Sequence, residues 1–219
     1  PQTALMDSID LLVLGGGESG TGAALLAHSL GGKVAVSDGG SIRQLHKKEL
    51  DDRGIAYEEN GHNWTKNYSG LTVKSPGIPS TSSVVTELKK AGAELISEIE
   101  WASRHTQGDI VAITGSNGKT TTTSMTHAIF RNAGMDVCMA GNIGNSMARE
   151  LAKKDSAHWV LEVSSFQLDD IHSFRPRVAA VLNITADHLD RYGHSLQAYA
   201  DAKMRIAMNQ DADDLLILP

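Results

Sequence analysis

The chain has 219 residues, more than one average domain needs and enough for two small ones with a core each. Twenty Lys and Arg against 26 Asp and Glu leave a net charge of −6, a balance that argues against a protein built to neutralise nucleic-acid phosphates. No window approaches the roughly 20 apolar residues that span a bilayer, and a single cysteine, Cys138, excludes an internal disulfide.

The start, "PQTALMDSIDLL", lacks the basic n-region and long apolar h-region of a secretory leader. A cytoplasmic protein is the expectation, with Cys138 a small buried apolar residue. "IDLLVLGG" (9–16) predicts a buried parallel strand, "SGTGAALLAHSLG" (19–31) a helix stopped by Gly31-Gly32, and "KVAVSD" (33–38) a second strand, together a βαβ unit. A short strand is expected within 50–60, and another opens 70–79 before a turn set by Pro76, Gly77 and Pro79. Residues 82–105 read as helix, strand and helix, broken at Gly92. The polar "TQGD" (106–109) places a domain boundary, giving domains over 1–107 and 108–219. The second half repeats the alternation. Strands are expected at 110–114, 136–141, 158–165, 178–185 and 214–219, and helices at 119–134 and 196–209. Strands alternating with helices predict an α/β protein: a Rossmann-like first domain followed by a mainly parallel, P-loop-type second one. The chain begins at Pro1 without Met and ends on an apolar strand, which reads as a truncated second domain.

Two glycine-rich turns carry the chemistry. Gly15-x-Gly17-x-x-Gly20 follows a strand and opens a helix, and Asp38 ends the next strand. This is the context in which glycines let the backbone approach a pyrophosphate at a helix N-terminus. It fits a nucleotide, an ordinary NAD site or glycines that only pack helix on strand, and Glu18 counts against NAD by placing a carboxylate beside the expected pyrophosphate. The second turn is sharper. Gly115, Gly118, Lys119 and Thr120 lie between a strand and a helix, in a Gly-x-x-Gly-Lys-Thr loop two residues shorter than the usual phosphate loop, with Ile113 where its first glycine would stand. Its backbone suits phosphate oxygens, Lys119 the β/γ-phosphates and the Thr120 hydroxyl Mg²⁺. Hydroxyls continue through Thr121, Thr122 and Thr123, which fits ligand contact better than helix propensity. Glu162 ends the "VLE" strand, where Walker-B acids stand in other P-loop proteins; a solvated strand-end charge is the plainer alternative.

Five ordered stretches, "ITGSNGKTTTT", "GNIGNS" (141–146), "LEVSSFQLD" (161–169), "LNITADHLDRYG" (182–193) and "AYADAKMRI" (198–206), resemble the Mur ligases of peptidoglycan synthesis, as does "SPGIP" in the first half. "SSFQLD" with "DHLDRYG" is most similar to the branch that joins D-glutamate to UDP-N-acetylmuramoyl-L-alanine. The resemblance implies three domains, of which this chain looks like the first and most of the second. It implies an ATP-dependent ligase working through an acyl phosphate, with Mg²⁺, in a monomer that meets neither nucleic acid nor membrane, and a piece lacking the third domain is expected to bind substrate without turning it over. By the same resemblance the first loop holds the UDP end of the substrate and the second holds ATP.

Residue roles follow from those matches. Gly115, Ser116, Asn117, Gly118, Lys119, Thr120 and Thr121 are the ATP loop; Thr120, Glu162 and His188 are expected metal ligands, with Asp187 and Asp190 as nearby oxygen donors. Lys119, Glu162, His188 and Lys203 are the expected catalytic set, Lys203 matching a lysine carbamylated by CO₂. Taken alone, Lys203 is an ordinary helix-surface lysine and His188 an exposed or structural histidine. Glu18, Ser19, Ser37, Asp38, Gly77, Asn142 and Ser164 are the expected sugar-nucleotide contacts. Within the superfamily, a ligase for another amino acid or a folylpolyglutamate synthase is the alternative. From other classes, the alternatives are an NAD-binding oxidoreductase with an incidental GKT and a non-catalytic binding module.

Overall fold

The computed structural model describes residues 8–219. Residues 1–7, which begin the segment read for a leader, lie outside the described residues. Among the described residues the strands form two five-stranded parallel sheets. The front sheet holds β1 (Leu11–Leu14), β2 (Val34–Ser37), β3 (Ala56–Glu58), β4 (Leu71–Lys74) and β5 (Glu94–Ser97) in the order β3-β2-β1-β4-β5. Helices α1 (Glu18–Ser29), α2 (Gln44–Asp51), α3 (Ser83–Ala91) and α4 (Glu98–Ser103) join its strands and lead out of it. The back sheet holds β6 (Asp109–Thr114), β7 (Val137–Gly141), β8 (His158–Glu162), β9 (Val178–Val181) and β10 (Leu215–Ile217), ordered β10-β9-β6-β8-β7. Its helices are α5 (Lys119–Asn132), α6 (Met147–Leu151), α7 (Ser165–Leu168) and α8 (Leu196–Met204).

The continuous apolar run of β1 is the mark of a strand covered on both faces. Leu12 and Leu14 pack on Val84, Val85 and Leu88 of α3, while Leu11 and Val13 pack on Ala23 and Ala24 of α1. The back sheet divides in the same way: Ile110 and Ala112 join a large cluster with Met147, Trp159 and Phe174, and Ile113, Val160 and Ala180 line the other face. The large cluster also takes in Leu26, Ile99 and Ala102, so apolar packing runs continuously from one sheet's helices to the other's core. In each sheet the first strand, β1 or β6, sits between strands on opposite sides of a reversal in order. That reversal opens a crevice at the strands' carboxyl ends, and each glycine turn leaves its sheet there.

Some expectations need correction. The strand expected over 158–165 stops at Glu162, because Ser164 caps α7 with a reciprocal capping box to Gln167. The strand expected over 178–185 ends at Val181, and the next residues pair with the phosphate-type loop instead. The helix expected to 209 becomes a 3-10 turn at Arg205–Ala207. α2, α6 and α7 have no counterpart among the elements expected from sequence. Cys138 is half-buried, and burial pushes its thiol up to about 11, which leaves it an unreactive packing group. No helix of the described residues is long and apolar enough to cross a membrane.

Candidate active site

The front glycine turn forms because α1 starts directly on the end of β1. A Cβ on Gly20 would lie 1.8 Å from the Gly15 carbonyl oxygen, so no side chain fits there. Asp38 fastens the turn: one carboxylate oxygen accepts from the Gly16 N–H at 2.6 Å and the other from the Gly40 N–H at 2.8 Å. The rim so formed borders a cleft of about 470 Å³ lined by Gly15, Ser19, Asp38, His62 and Gly77 among others. That volume lies within the range of small-molecule sites.

Two residues expected to touch a ligand here have other partners. The Ser37 hydroxyl is fully buried and hydrogen-bonded to Glu58 and His62, each at 2.8 Å. Glu18 borders the cleft, but its carboxylate turns to the other half of the chain, accepting from Ser146 N–H (3.0 Å), Ser146 Oγ (3.2 Å) and Arg149 Nε (2.7 Å). Arg149 also binds Glu49. The repulsion expected between Glu18 and a pyrophosphate is therefore partly cancelled by an arginine 131 residues away.

The second turn is held by the segment after β9. The Ser116 N–H donates to Asn183 O (3.0 Å), the Asn117 N–H donates to Asn183 Oδ1 (2.9 Å), and Asn183 Nδ2 returns a bond to Asn117 O (3.0 Å). Ser116 Oγ and the backbone of Thr185 exchange two bonds of 2.9 Å. Gly118, at φ +82°, makes the left-handed step into α5, a conformation costing other residues about 1–2 kcal/mol. The Ser116 and Asn117 amides are thus committed to the Asn183 segment, and α5 begins at Lys119.

Charge converges on this turn. Lys119 Nζ donates to Gly115 O (2.9 Å) and Ser116 O (3.0 Å). Lys203 Nζ donates to the same Gly115 carbonyl at 2.9 Å, from a residue 1% exposed. Read from sequence alone, Lys203 is a surface lysine; α8 instead drives it inward beneath the Tyr199 ring. Burial, then the Lys119 charge, brings its pKa down to about 8. Across the strand ends, Glu162 is buried, accepting from Thr120 Oγ1 at 2.7 Å and Asn142 Nδ2 at 2.9 Å. The plainer alternative of a solvated strand-end charge does not hold for it.

Lys119, Thr120, Glu162, Asn142 and Lys203 therefore gather at one strand-end crevice. Thr121 is exposed on the first turn of α5. Ser164 is spent on its cap. His188 stands apart, with φ +50°, a side chain 59% exposed, its ring against Phe166, and Asp187 as its ionic neighbour at 3.6 Å. No contact joins it to Thr120 or Glu162, and among the described residues no group of three or more His, Cys, Asp or Glu converges as a metal cage. Sequence reasoning missed Asn183, Thr185, Arg149 and His62. The first two stand in a quoted stretch, "LNITADH", whose polar residues after a strand were the available signal. Arg149 and His62 act through partners distant in sequence.

Known proteins resemble this chain in sequence and in fold. Residues 113–219 match the Mur ligase middle domain. The UDP-N-acetylmuramoylalanine–D-glutamate ligase of Bacteroides fragilis is 48% identical over 208 residues, which is 94% of this chain and 47% of the relative. The enzyme of that name from Porphyromonas gingivalis is 49% identical over 209 residues, 95% of this chain and 46% of its own length. The chain thus spans about half the length of the curated relatives it matches. The solved UDP-N-acetylmuramate–alanine ligase of Thermotoga maritima aligns over 96% of this chain and 49% of that one, with a TM-score of 0.61 at 21% identity, a likeness of fold. With the phosphate-type turn inside the matched segment, residues 113–219 belong to the Mur ligase middle domain family, and near-half identity to the D-glutamate ligases runs through both sheets.

Proposed function

We propose that this protein takes part in the ATP-dependent joining of D-glutamate to UDP-N-acetylmuramoyl-L-alanine, a step of peptidoglycan synthesis that serves cell shape and division in the cytoplasm. The observation that carries the reading is the meeting of Lys119, Lys203, Thr120 and Glu162 at the loop after β6. The names of the relatives support the choice of acceptor and amino acid. In this reading residues 1–107 hold the uridine diphosphate end and residues 108–219 hold ATP, and the protein works as a monomer.

Amide formation from a carboxylate needs an activated acid. The muramoyl-alanine carboxylate oxygen attacks the γ-phosphorus, the bridging P–O bond breaks and ADP leaves. The amine of D-glutamate then attacks the acyl carbon, and phosphate leaves with the C–O electron pair while the amine proton is lost. The reacting groups are anions, so positioning and charge are the demand. Lys119, freed from the loop carbonyls, turns its ammonium toward the γ-phosphoryl oxygens. Gly118 and the start of α5 face the phosphates. The Thr120 hydroxyl and Glu162 carboxylate, 2.7 Å apart, form an all-oxygen pair of the type Mg²⁺ takes alongside nucleotide phosphates and water. Bound there, Mg²⁺ would screen the phosphate charge. Asn142 holds the other Glu162 oxygen and keeps the carboxylate aimed. Lys203 as its carbamate would be a fixed anion able to orient that network, and His188 would join it only by movement of its exposed turn. At the front cleft, the Asp38 oxygens retain lone pairs for ribose hydroxyls, with Ser19 and Gly77 beside them.

A panel of amino acids scored by phosphate release, run on this chain extended to the full length of its relatives, tests the reading. Release triggered by D-glutamate with UDP-N-acetylmuramoyl-L-alanine is expected. Release by another amino acid moves the assignment within the family, and stabilisation by NAD in place of the uridine nucleotide would overturn it.

A further inference from the structure

Two carbonyls of the turn that rims the front cleft are tied to the other half of the chain. Ser75, Pro76, Gly77 and Ile78 border the cleft. Pro76 O accepts from Arg191 Nη2 at 3.4 Å. Ile78 O accepts at 2.9 Å from Lys74 Nζ, a buried ammonium that lies 3.0 Å from the Asp170 carboxylate. Arg191 belongs to the 3-10 turn Leu189–Tyr192, and its N–H donates to His188 O at 3.1 Å. Residues three apart in such a turn share a face. Both side chains accordingly rest on one ring: the Arg191 guanidinium stands 4.4 Å from the Phe166 centroid, and the His188 ring meets Phe166 edge-on at 5.4 Å. Further rings lead inward. Phe166 lies parallel to Tyr192 at 5.9 Å, and Tyr192 lies 5.5 Å from Tyr199. Tyr199 covers Lys203 Nζ at 4.5 Å and stands 3.5 Å from Ser116 Oγ of the phosphate-type loop. A contiguous packed path thus joins the rim beside one glycine turn to the other glycine turn.

The two ties differ in kind. Lys74 is sealed between a carbonyl and a carboxylate and makes a fixed point. Arg191 is half-buried, and its bond to Pro76 is long for an N–H···O contact, which settles near about 2.9 Å. Left-handed residues bound its turn, His188 at φ +50°, Gly193 at +59° and His194 at +60°. A flat guanidinium can slide over a ring while its edge still donates. A ligand that presses the rim toward the back half shortens the Pro76 bond and carries the turn with it, and His188 reaches the Thr120–Glu162 pair only by movement of that turn. We propose that Arg191 is a positioning residue that couples the rim of the front cleft to the turn bearing His188, so that filling the cleft tightens nucleotide binding at the second loop. The proposal rests on the reading of the cleft as the substrate's site and of the second loop as that of ATP. The coupling is mutual by linkage. Neither Arg191 nor Phe166 lines the cleft, and among the described residues no hydrogen bond or ion pair joins either to Thr120 or Glu162. A residue so placed changes how one ligand affects the other, whereas a contact residue changes the affinity of one ligand by itself.

Isothermal titration with Mg²⁺ and a non-hydrolysable ATP analogue, with and without saturating UDP-N-acetylmuramoyl-L-alanine, tests this on the chain extended to the full length of its relatives. The wild type is expected to bind the analogue about fivefold more tightly with the cleft filled, the lower end of measured couplings. In Arg191→Ala that ratio should fall to near one while each ligand alone binds as in the wild type. Phe166→Leu keeps the arginine but removes the ring beneath it and should lower the ratio in the same way, so it decides the matter if Arg191→Ala fails to fold. A wild-type ratio of one overturns the proposal, as does a ratio intact in Arg191→Ala or Phe166→Leu. Weakened binding of one ligand alone with the ratio preserved also overturns it, and makes Arg191 a prop of that one site. Absence of binding of the uridine substrate to the wild type removes the reading of the cleft and the proposal with it, whereas both ligands bound without coupling removes the role of Arg191 alone.

Discussion

Lys203 shows how a side chain becomes reactive through where it is put. An ordinary lysine is almost wholly charged at pH 8, with well under about 1% free amine. With its pKa brought down to about 8 by burial and by Lys119, roughly half of Lys203 is the free amine at that pH. A free amine adds to CO₂: the N–C bond forms, a proton leaves, and a carbamate anion replaces a cation. ¹³C-labelled bicarbonate is expected to give a carbamate resonance that grows as the pH rises from 7 to 9 and is missing in Lys203→Arg. An unlabelled wild type would reduce Lys203 to a structural cation under Gly115. Nothing in "AYADAKMRI" announces this burial, because the groups that cover Lys203 include a loop 88 residues earlier. Glu162 gives the companion test. Glu162→Gln preserves the shape and the Thr120 contact but removes the charge, so in the chain extended to its relatives' full length magnesium-dependent turnover should fall by about 10²-fold or more with the melting temperature little moved. Retention of wild-type turnover would free Glu162 from the metal role.

At the scale of an element, the short helix α4 carries two buried carboxylates driven in opposite directions. Glu100 accepts from the backbone N–H groups of His172, Ser173 and Phe174, from Ser173 Oγ and from Arg104. Burial works against its charge, but those donors outweigh it and hold the carboxyl near 2. Glu98 is fully buried and receives one bond, from Ala148 N–H at 2.5 Å, while its second oxygen has no hydrogen-bond partner; burial lifts it to about 7. The signs of their contributions to stability differ. The stability supplied by Glu100 is complete above its unfolded value near 4.5 and is lost as the pH falls toward 2, with about 3 kcal/mol at stake. Glu98 costs nothing below 4.5, and its cost grows between 4.5 and 7 as the unfolded chain ionises first. Urea midpoints of Glu100→Gln should therefore sit well below wild type at pH 7 and converge with it toward pH 2. Those of Glu98→Gln should match wild type at pH 4 and exceed it at pH 8. A constant offset across pH for either variant would contradict the assignment.

The same element scale shows what was legible in the sequence. β1, β6 and the two glycine turns were readable because their signals are local, namely apolar runs and positions that only glycine fills. α2, "QLHKKELD", was not, since it buries only His46 and Leu50 and leaves little apolar periodicity. α6 hid behind a quoted motif and starts where Ser146 follows a glycine-rich loop. Ser37 ends a strand and Glu18 follows a glycine, places that point to ligand contact, yet their partners are 21 to 131 residues away. Chain-distant pairing is the part of the site that local pattern does not encode.

At the scale of the molecule, the two sheets are joined by charged and polar ties as well as by apolar packing. Arg149 of α6 grips Glu18 and Glu49 of the front half. Lys74, 2% exposed at the end of β4, reaches Asp170 at 3.0 Å, whose carbonyl in turn accepts from the Ser97 N–H. Arg191 donates to Pro76 O at 3.4 Å while its guanidinium covers the Phe166 ring. Beneath these ties the apolar cluster from Leu26 to Trp159 has no seam. A pair that is buried and then broken leaves an uncompensated charge, so these ties should make the halves unfold together. Single-tryptophan variants keeping Trp64 in the front half or Trp159 in the back report the two sheets separately. Their denaturant midpoints are expected to coincide. Arg149→Ala exposes Glu18 and Glu49 to each other without a cation; with both carboxylates partly solvated, the loss should be about 2 kcal/mol, and the Trp64 midpoint should fall further than the Trp159 midpoint. Separate midpoints in the wild type would mean that the ties are ornaments on two independent domains. Equal falls in the variant would mean that apolar packing alone fixes the front cleft over the phosphate loop. The outcome matters for the proposed reaction, in which a carboxylate carried on a nucleotide anchored in one half would have to reach a phosphoryl group held by the other, across a distance that these polar ties would hold constant before any substrate binds.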